Sequence, residues 1–269
     1  MAGRENPGEQ ESQRGLGGGV YGNTDYENDR TVAEYLAFHY PATDDFLALI
    51  GEGAPAIEER YPYAVRGFWT PEPGEDALDV GTATGRVTAD LARDHRHAFG
   101  LDTSKPFIRA AAAVQSRRAA RYTVVVEGRI EEEVDVPVEP FPNASFLVGD
   151  ALHLPFESGR FATVTALNLL CRVPDPDRAL AELARATKLG GTLVIASPYT
   201  WVDTFTPSEK WLGGYSRNRQ PVRASNEIRE RLAPRFELQR DAMLPFFIRH
   251  HARSGQLGLS HVQSFQKVS

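Results

Sequence analysis

One stretch of the chain, from Glu75 to Asp102, most strongly constrains the fold. It begins E-D-A-L-D-V-G-T-A-T-G-R and ends H-A-F-G-L-D. The apolar run around Asp79 predicts a short buried strand, and glycines follow at once. The amphipathic segment after them predicts a helix, and a second strand then ends on Asp102. The pattern therefore predicts a strand–loop–helix–strand unit of an α/β fold.

The loop after the first strand has the features of a nucleotide site. Gly81 and Gly85 allow unusual dihedrals and a close approach of the backbone. The helix start offers unpaired N–H groups to a ligand. Asp102, about 20 positions beyond the glycines, suits a ribose diol because a carboxylate accepts from two hydroxyls.

The spacing of this loop distinguishes between nucleotides. It is D-x-G-x-x-x-G, whereas proteins that bind NAD favour G-x-G-x-x-G. The spacing resembles motif I of the Rossmann-like S-adenosylmethionine-dependent methyltransferases, D/E-x-G-x-G-x-G, with Ala83 in place of the middle glycine. Asp79 would repel a pyrophosphate but suits the cationic aminoacyl end of S-adenosylmethionine. An ordinary strand–turn–helix corner remains the alternative at this point.

Composition excludes several classes of protein. The 269 residues suffice for one large α/β domain, and the net charge of −6 without a long basic run argues against nucleic acid as a partner. The single cysteine, Cys171, excludes an intrachain disulfide and fits a reducing compartment. No apolar run reaches the ~18 residues of a membrane span, and the N-terminus has no apolar signal core. We therefore expect a cytoplasmic protein without membrane contact.

The chain divides into a tail, a cap and a core. Residues 1–20 are rich in Gly, Glu and Gln, which predicts a disordered tail. Residues 21–269 would form one domain, with a helical cap over 21–70 and a Rossmann-like core over 75–269. The cap contains a predicted helix over Thr31–Tyr40 and a second, short one over Asp44–Ile50.

The core pattern predicts a mostly parallel sheet. Five short apolar runs alternate with helical segments, which implies helices on both faces. Tyr122–Val138 contains two β-rich runs around a glycine and predicts a β-hairpin insertion. Ser197–Arg223 is long and aromatic, which predicts an ordered lid.

Four further segments resemble one methyltransferase family. They are Y-L-A-F-H-Y (35–40), N-L-L-C-R-V-P-D-P (168–176), S-P-Y-T-W-V-D-T-F-T-P-S-E-K-W-L-G-G (197–214) and L-P-F-F-I-R (244–249). They resemble the 5-thiohistidine (4-mercaptohistidine) N-methyltransferase of ovothiol biosynthesis, and the resemblance covers residues 21–269. It implies the class I methyltransferase fold with a seven-stranded sheet. In many members this module follows an iron-dependent sulfoxide synthase, which would here be a separate upstream partner.

The resemblance implies methyl transfer from S-adenosylmethionine to the imidazole nitrogen nearest the amino-acid side chain. The products would be ovothiol A and S-adenosylhomocysteine. Asp150 would accept from the adenine amino group beside a donating backbone N–H. The expected cofactor-binding residues are Asp79, Gly81, Thr82, Ala83, Gly85, Asp102, Thr103, Asp150, Ala151 and Asn168.

The candidate catalytic residues are His39 and Tyr40, as bases near the nucleophilic nitrogen. The alternative is that this helix only packs on the core. Asn168 would orient the substrate ring. The other expected substrate-binding residues are Arg172 and Arg249, as clamps for the substrate carboxylate, and Tyr199 and Trp201, as walls of the pocket.

Each of these assignments has a simpler alternative: a surface or interdomain ion pair for the arginines, and lid packing for the aromatic residues. No metal site is expected, because the adjacent His250 and His251 point about 100° apart if helical. Other functional classes stay open. They are a methyltransferase for another small amino-acid-like or heterocyclic substrate, an NAD(P)-dependent oxidoreductase, and a non-catalytic nucleotide-binding regulator.

Overall fold

The computed structural model describes residues 25–42 and 56–269. Within them the elements are, in chain order, α1 (Asp29–His39), β1 (Glu72–Val80), α2 (Arg86–Asp94), β2 (His95–Asp102), α3 (Lys105–Arg117), β3 (Ala119–Glu127), β4 (Ile130–Pro137), β5 (Ala144–Val148), β6 (Phe161–Leu167), α4 (Pro176–Ala186), β7 (Thr187–Ser197), β8 (Tyr215–Arg217), β9 (Gln220–Val222), α5 (Ala224–Leu232), β10 (Phe236–His251) and β11 (Ser254–Lys267). The predicted tail and the predicted helix over Asp44–Ile50 lie outside the described residues.

A seven-stranded sheet in the order β10-β11-β7-β6-β1-β2-β5 forms the centre of the fold. The five strands from β7 to β5 are parallel, and β11 and β10 are added antiparallel at one edge. The chain leaves β1 toward β2 and β5 on one side and returns to β6 on the other. This reversal creates a crevice at the carboxyl ends of β1 and β6, where ligands bind in open α/β sheets.

Burial explains why the central runs are strands. Every residue of Phe161–Leu167 is buried, and so is Ala77–Val80 at the end of β1. One apolar cluster includes residues of α1 and α2, and a second includes residues of α4 and α5. The predicted parallel sheet with helices on both faces is therefore confirmed.

Helix α1 lies over the carboxyl end of the sheet. Asn28 caps it by accepting a hydrogen bond from the backbone N–H of Thr31 at 2.8 Å. At its other end, the hydroxyl of Tyr122 on β3 donates to the carbonyl of Tyr40 at 3.0 Å. The Phe38 ring contacts the Phe246 ring of β10 at a centroid distance of 6.3 Å. These contacts fix α1 against both the hairpin and the sheet edge.

The predicted hairpin and the aromatic segment are both ordered elements. β3 and β4 form a separate antiparallel pair, as predicted. Within 197–223, Trp201 stacks on Trp211 at a centroid distance of 6.3 Å, and β8 pairs with β9. The Lys188–Gly191 segment belongs to β7.

The loop after β1, residues 81–85, is called the motif loop. Close packing beneath it gives a test of the fold. Gly85 has φ +86°, and a Cβ there would lie 2.9 Å from Ala111 and from Phe146. Gly85→Ala is expected to lower the free energy of unfolding by roughly 2–5 kcal/mol, the sum of a left-handed backbone and overpacking. Urea unfolding of both proteins measures the difference.

Gly128→Ala is the matched control for this substitution. Gly128 also has positive φ, +56°, but a Cβ there would meet nothing within 4 Å. This control should cost only the backbone strain, about 1–2 kcal/mol. Equal losses for the two variants would mean that the packing around Gly85 contributes nothing.

Candidate active site

A cavity opens at the carboxyl ends of β1 and β6, beneath α1. Its volume is about 130 Å³, roughly ten times the space that one water needs. Four groups of side chains surround it: the motif loop, the end of β2, the end of β6 and an aromatic wall. The lining residues are Tyr26, Tyr35, Phe38, His39, Tyr61, Asp79, Gly81, Thr82, Ala83, Val87, Asp102, Thr103, Phe107, Leu167, Asn168, Leu169, Arg172 and Ile248.

The motif loop turns through three left-handed residues. Gly81, Ala83 and Gly85 have φ values of +79°, +47° and +86°. The backbone N–H groups of Gly81 and Thr82 both donate to the carbonyl of Leu101, at 2.7 and 3.1 Å. The loop is therefore bound to the neighbouring strand β2. Glycine suits two of the three positions, and Ala83 adopts the third despite its Cβ.

Asp102 closes this loop from the end of β2. Its Oδ2 accepts from the backbone N–H of Ala83 and its Oδ1 from that of Ser104, both at 2.9 Å. Burial raises the pKa of Asp102, and the backbone donors oppose that effect. A carboxylate has about four acceptor positions, so the group keeps capacity for a ligand diol while its orientation is fixed.

Asp79 lies deeper in the cavity, with only 2% of its surface exposed. It accepts from the hydroxyl of Thr165 at 2.7 Å and from that of Thr88 at 3.0 Å. Burial raises the pKa of Asp79 to about 6. A cationic ligand group beside this carboxylate would restore the charge that burial disfavours.

His39 faces the cavity from α1 and is bound to the motif loop. Its Nδ1 lies 2.7 Å from the hydroxyl oxygen of Thr84, and that oxygen also lies 3.4 Å from the carbonyl of Tyr35. Burial, followed by the nearby charge of Arg86, lowers the pKa of His39 to about 3. The ring is therefore neutral near pH 7.

Two polar residues after β6 complete the cavity. Asn168 has φ +57°, and its Oδ1 accepts from the hydroxyl of Ser260 at 2.9 Å. Arg172 donates from Nη1 to the carbonyls of Cys171 and Thr200, at 2.9 and 2.6 Å, and from Nη2 to the hydroxyl of Thr200 at 3.0 Å. These bonds hold one edge of the guanidinium and fix a cation at the cavity.

Several residues predicted for the site do not line this cavity. The hydroxyl of Tyr40 is buried and donates to the carbonyl of Thr84 at 3.3 Å. Burial also raises its pKa, so its position fits structural support better than the predicted role as a base. Arg249 donates to the carbonyls of His251 and Ala252, both at 3.3 Å, and lines two other depressions.

The predicted aromatic walls also lie elsewhere. Tyr199 and Trp201 line a separate depression, where the hydroxyl of Tyr199 contacts Nδ1 of His261 at 3.1 Å. Asp150 and Ala151 follow β5 at the same sheet edge as Asp102, outside the residues that line the cavity. Gly85 supports the loop as the residue that caps α2.

Sequence reasoning did not assign the aromatic wall that the cavity does have. It consists of Tyr26, Tyr35, Phe38, Tyr61 and Phe107, with the Tyr35 and Phe107 rings 4.9 Å apart. Tyr35 stands four residues before His39 on α1, so helical spacing alone would have placed it beside His39. No sequence signal pointed to Tyr26, which reaches the site through ring contacts.

The described residues contain neither a metal-binding cluster nor a membrane-spanning helix. Over 25–42 and 56–269, no group of three or more His, Cys, Asp or Glu side chains is arranged to hold a metal ion. In the same part of the chain, no helix is long and apolar enough to cross a membrane.

Part of the chain matches a known protein family. Residues 78–195 match the family described as a methyltransferase domain. A demethylmenaquinone methyltransferase from Thermobifida fusca is 34% identical over 122 residues, which are 45% of this chain and 43% of that protein. Its counterpart from Beutenbergia cavernae is 30% identical over 180 residues, 67% of this chain and 61% of that protein. The chain thus spans less than two thirds of these relatives.

Solved structures share the fold at low sequence identity. A SAM-dependent methyltransferase from Methanosarcina mazei gives a TM-score of 0.52 at 19% identity, covering 77% of this chain and 98% of that one. The [4+2]-cyclase SpnF gives 0.56 at 16% identity, covering 91% and 95%. The chain therefore has the Rossmann-like fold of the class I S-adenosylmethionine-dependent methyltransferases. Because a cyclase shares this fold, the fold alone does not specify the reaction.

The buried carboxyl of Asp79 predicts a pH dependence of stability. Its pKa is about 6 in the folded chain and ordinarily 3.8, so between these values the folded state holds a proton that the unfolded state has lost. The contribution of Asp79 is then present at low pH and falls as the pH rises through 6. Relative to the wild type, Asp79→Asn should be about 2 kcal/mol less stable at pH 4 than at pH 7. Urea unfolding at both pH values measures this.

Asp94→Asn is the control with the opposite sign. Burial raises the pKa of Asp94, but its bonds from Arg66 and Trp69 outweigh burial and lower it overall. The stability that Asp94 contributes is therefore present above its ordinary pKa and lost in acid. Parallel pH profiles for the two variants would exclude the proposed charge state of Asp79.

Proposed function

We propose that this protein transfers a methyl group from S-adenosylmethionine to the imidazole ring of 5-thiohistidine, at the nitrogen nearest the side chain, giving ovothiol A. The cavity carries the proposal because one small space joins the motif loop, two carboxylates, a neutral histidine and a fixed arginine. The methyltransferase-domain match and the fold support the cofactor class. The four segments that resemble the 5-thiohistidine methyltransferase support the choice of 5-thiohistidine as the substrate.

The cofactor would lie across the motif loop. Asp102 would accept from its ribose hydroxyls, Asp79 would face its cationic aminoacyl end, and Asp150 would accept from the adenine amino group. S-adenosylmethionine would supply the methyl group, and its sulfonium sulfur would leave as the neutral thioether of S-adenosylhomocysteine. The remaining catalytic task of the protein is to hold the ring nitrogen in line with the methyl carbon.

The substrate carboxylate would pair with Arg172. Arg172 is the better of the two predicted arginines because it lines the cavity, whereas Arg249 lies outside it. Asn168 would orient the substrate ring. The bond from Ser260 to its Oδ1 leaves the amide N–H₂ as the donor for a ligand.

The neutral state of His39 bears on which group removes the proton from the substrate ring. The N–CH₃ bond forms as the S–CH₃ bond breaks, and the nucleophilic nitrogen must have lost its proton, which finally goes to solvent. A histidine with a pKa of about 3 is a poor proton carrier near neutral pH. We therefore assign His39 as a hydrogen-bond acceptor for the substrate instead of the base.

Mass spectrometry tests the proposal directly. The protein is incubated with S-adenosylmethionine and either 5-thiohistidine, histidine or a demethylmenaquinone. Only 5-thiohistidine should gain a methyl group efficiently. Equal turnover of histidine would mean that the site does not recognise the thiol. Methylation of the quinone alone would assign the reaction that the names of the relatives indicate. A separate sulfoxide synthase, acting upstream in the cytoplasm, would supply the substrate.

Asp102→Asn tests the cofactor position. The variant is expected to weaken S-adenosylhomocysteine binding by about 1.5–3 kcal/mol, because charge-assisted hydrogen bonds to the ribose are lost. Calorimetry measures the change, with NAD as a second ligand that should not bind. Asp135→Asn, on the exposed hairpin, is the control. Unchanged affinity with an intact circular dichroism spectrum would remove Asp102 from the site.

Arg172→Ala tests the carboxylate clamp. It should lower kcat/KM for 5-thiohistidine, because the substrate carboxylate then lies desolvated without a partner. The decrease should correspond to a loss of about 2–5 kcal/mol in transition-state stabilisation. The loss should be much smaller with the decarboxylated analogue 5-thiohistamine. Affinity for S-adenosylhomocysteine should persist.

Arg249→Ala is the matched control for the clamp, since this arginine lies outside the cavity. It should leave the ratio of the two substrates unchanged. An equal loss with both substrates in Arg172→Ala would show that Arg172 only supports the bonds to Thr200.

A further inference from the structure

A single hydroxyl connects the motif loop to the histidine that faces the cavity. Thr84 stands within the G-T-A-T-G loop and is fully buried. Its Oγ1 lies 2.7 Å from Nδ1 of His39 and 3.4 Å from the carbonyl of Tyr35. The hydroxyl of Tyr40 holds the same residue by its carbonyl, at 3.3 Å. Thr84 is therefore fixed through both its backbone and its side chain.

The protons of this group can be counted. A threonine hydroxyl has one proton to donate and two lone pairs that accept. The carbonyl of Tyr35 can only accept. If both contacts of Oγ1 are hydrogen bonds, the hydroxyl donates to that carbonyl, and Nδ1–H of His39 must donate to the hydroxyl. A neutral imidazole with its proton on Nδ1 has a lone pair on Nε2.

We propose that Thr84 is a positioning residue that holds His39 as the Nδ1–H tautomer, so that Nε2 presents a lone pair to the cavity. Nε2 makes no hydrogen bond within the described residues. His39 itself lines the cavity. The lone pair is thus available to a ligand that carries an N–H group.

This tautomer would select the form of the substrate ring, an inference that rests on the proposed function. A singly protonated imidazole has one N–H and one lone pair on its two nitrogens. If the far N–H donates to Nε2 of His39, the lone pair remains on the nitrogen nearest the side chain. That nitrogen is the one to be methylated. No proton moves to His39 in this step, which agrees with the neutral state that burial imposes.

Nitrogen NMR of the free protein tests the tautomer without any substrate. With ¹⁵N-histidine labelling, the His39 signals are those that disappear in His39→Gln, among seven histidines. We expect a protonated Nδ1 and an unprotonated Nε2. The opposite tautomer would overturn the proposal, whether or not the protein methylates 5-thiohistidine. A failed methylation assay with the expected tautomer would instead reject only the proposed function.

Two substitutions of Thr84 extend the test. Thr84→Ser retains the hydroxyl and should keep the tautomer and kcat/KM within about twofold. Thr84→Val retains the shape of the side chain but cannot accept a hydrogen bond from Nδ1–H of His39, so the Nδ1–H tautomer should no longer be favoured. The value of kcat/KM should then fall roughly 10-fold, as for one lost hydrogen bond. Affinity for S-adenosylhomocysteine, measured by calorimetry, should be the same in both.

A substrate analogue distinguishes two roles of Thr84: holding His39 for recognition of the substrate N–H, or only supporting the loop. 5-Thiohistidine methylated on the far ring nitrogen has no N–H to donate to Nε2. Wild type and Thr84→Ser should use this analogue at least 10-fold less well than the parent. Thr84→Val should discriminate far less. Equal discrimination by all three proteins would show that Thr84 only supports the loop, and would overturn the proposal.

Discussion

The bond from the backbone N–H of Ala83 to the carboxylate of Asp102 is the contact on which the site depends. It joins the loop after β1 to the end of β2. The same loop donates two backbone N–H groups to Leu101. Because Asp102 also accepts from Ser104, the carboxylate orders the starts of both α2 and α3. A group that would hold the cofactor ribose is thus already held by the backbone before any ligand arrives, which reduces the entropy lost on binding.

The loop in turn sets the position of the helical cap. Two consecutive residues of the cap, His39 and Tyr40, both contact Thr84, one through its side chain and one through its carbonyl. Helix α1 therefore cannot slide over the cavity without breaking contacts to the motif loop. Through α1 the aromatic wall is placed as well, since Tyr35 and Phe38 belong to the same helix. The motif loop and the aromatic wall thus form one connected unit.

Local patterns predicted the parts of the site that local sequence determines. The strand, glycine loop and acidic strand end could be located because their spacing follows from the geometry of one strand–helix–strand unit. The hairpin followed from two β-rich runs. Arg172 and Arg249 could not be distinguished, because both stand in family-like segments and only the fold shows which one reaches the cavity.

Other differences between the predicted site and the observed cavity also have non-local causes. Tyr40 and His39 are neighbours in sequence, yet only His39 lines the cavity, because α1 ends at His39 and the chain turns out of the helix at Tyr40, with φ −135° and ψ 65°. Tyr199 has φ +53°, and with Trp201 it lines the separate depression described above, outside the cavity. Tyr26 reaches the site by ring contacts with Tyr35 and Phe205, at 6.0 and 5.7 Å, which no periodicity encodes.

The distribution of charge explains why a neutral histidine belongs in this cavity. Two carboxylates, Asp79 and Asp102, lie on the side of the motif loop, and the guanidinium of Arg172 lies after β6. In the proposed reaction a sulfonium would be held beside the carboxylates and an anionic substrate beside the guanidinium. A protonated His39 in the same cavity would repel the sulfonium strongly, because water does not screen charges well in a buried space. Burial and the charge of Arg86 prevent that protonation. The ring can then act on the substrate only through a hydrogen bond, so its tautomer, and not its basicity, becomes the property that the fold has to control.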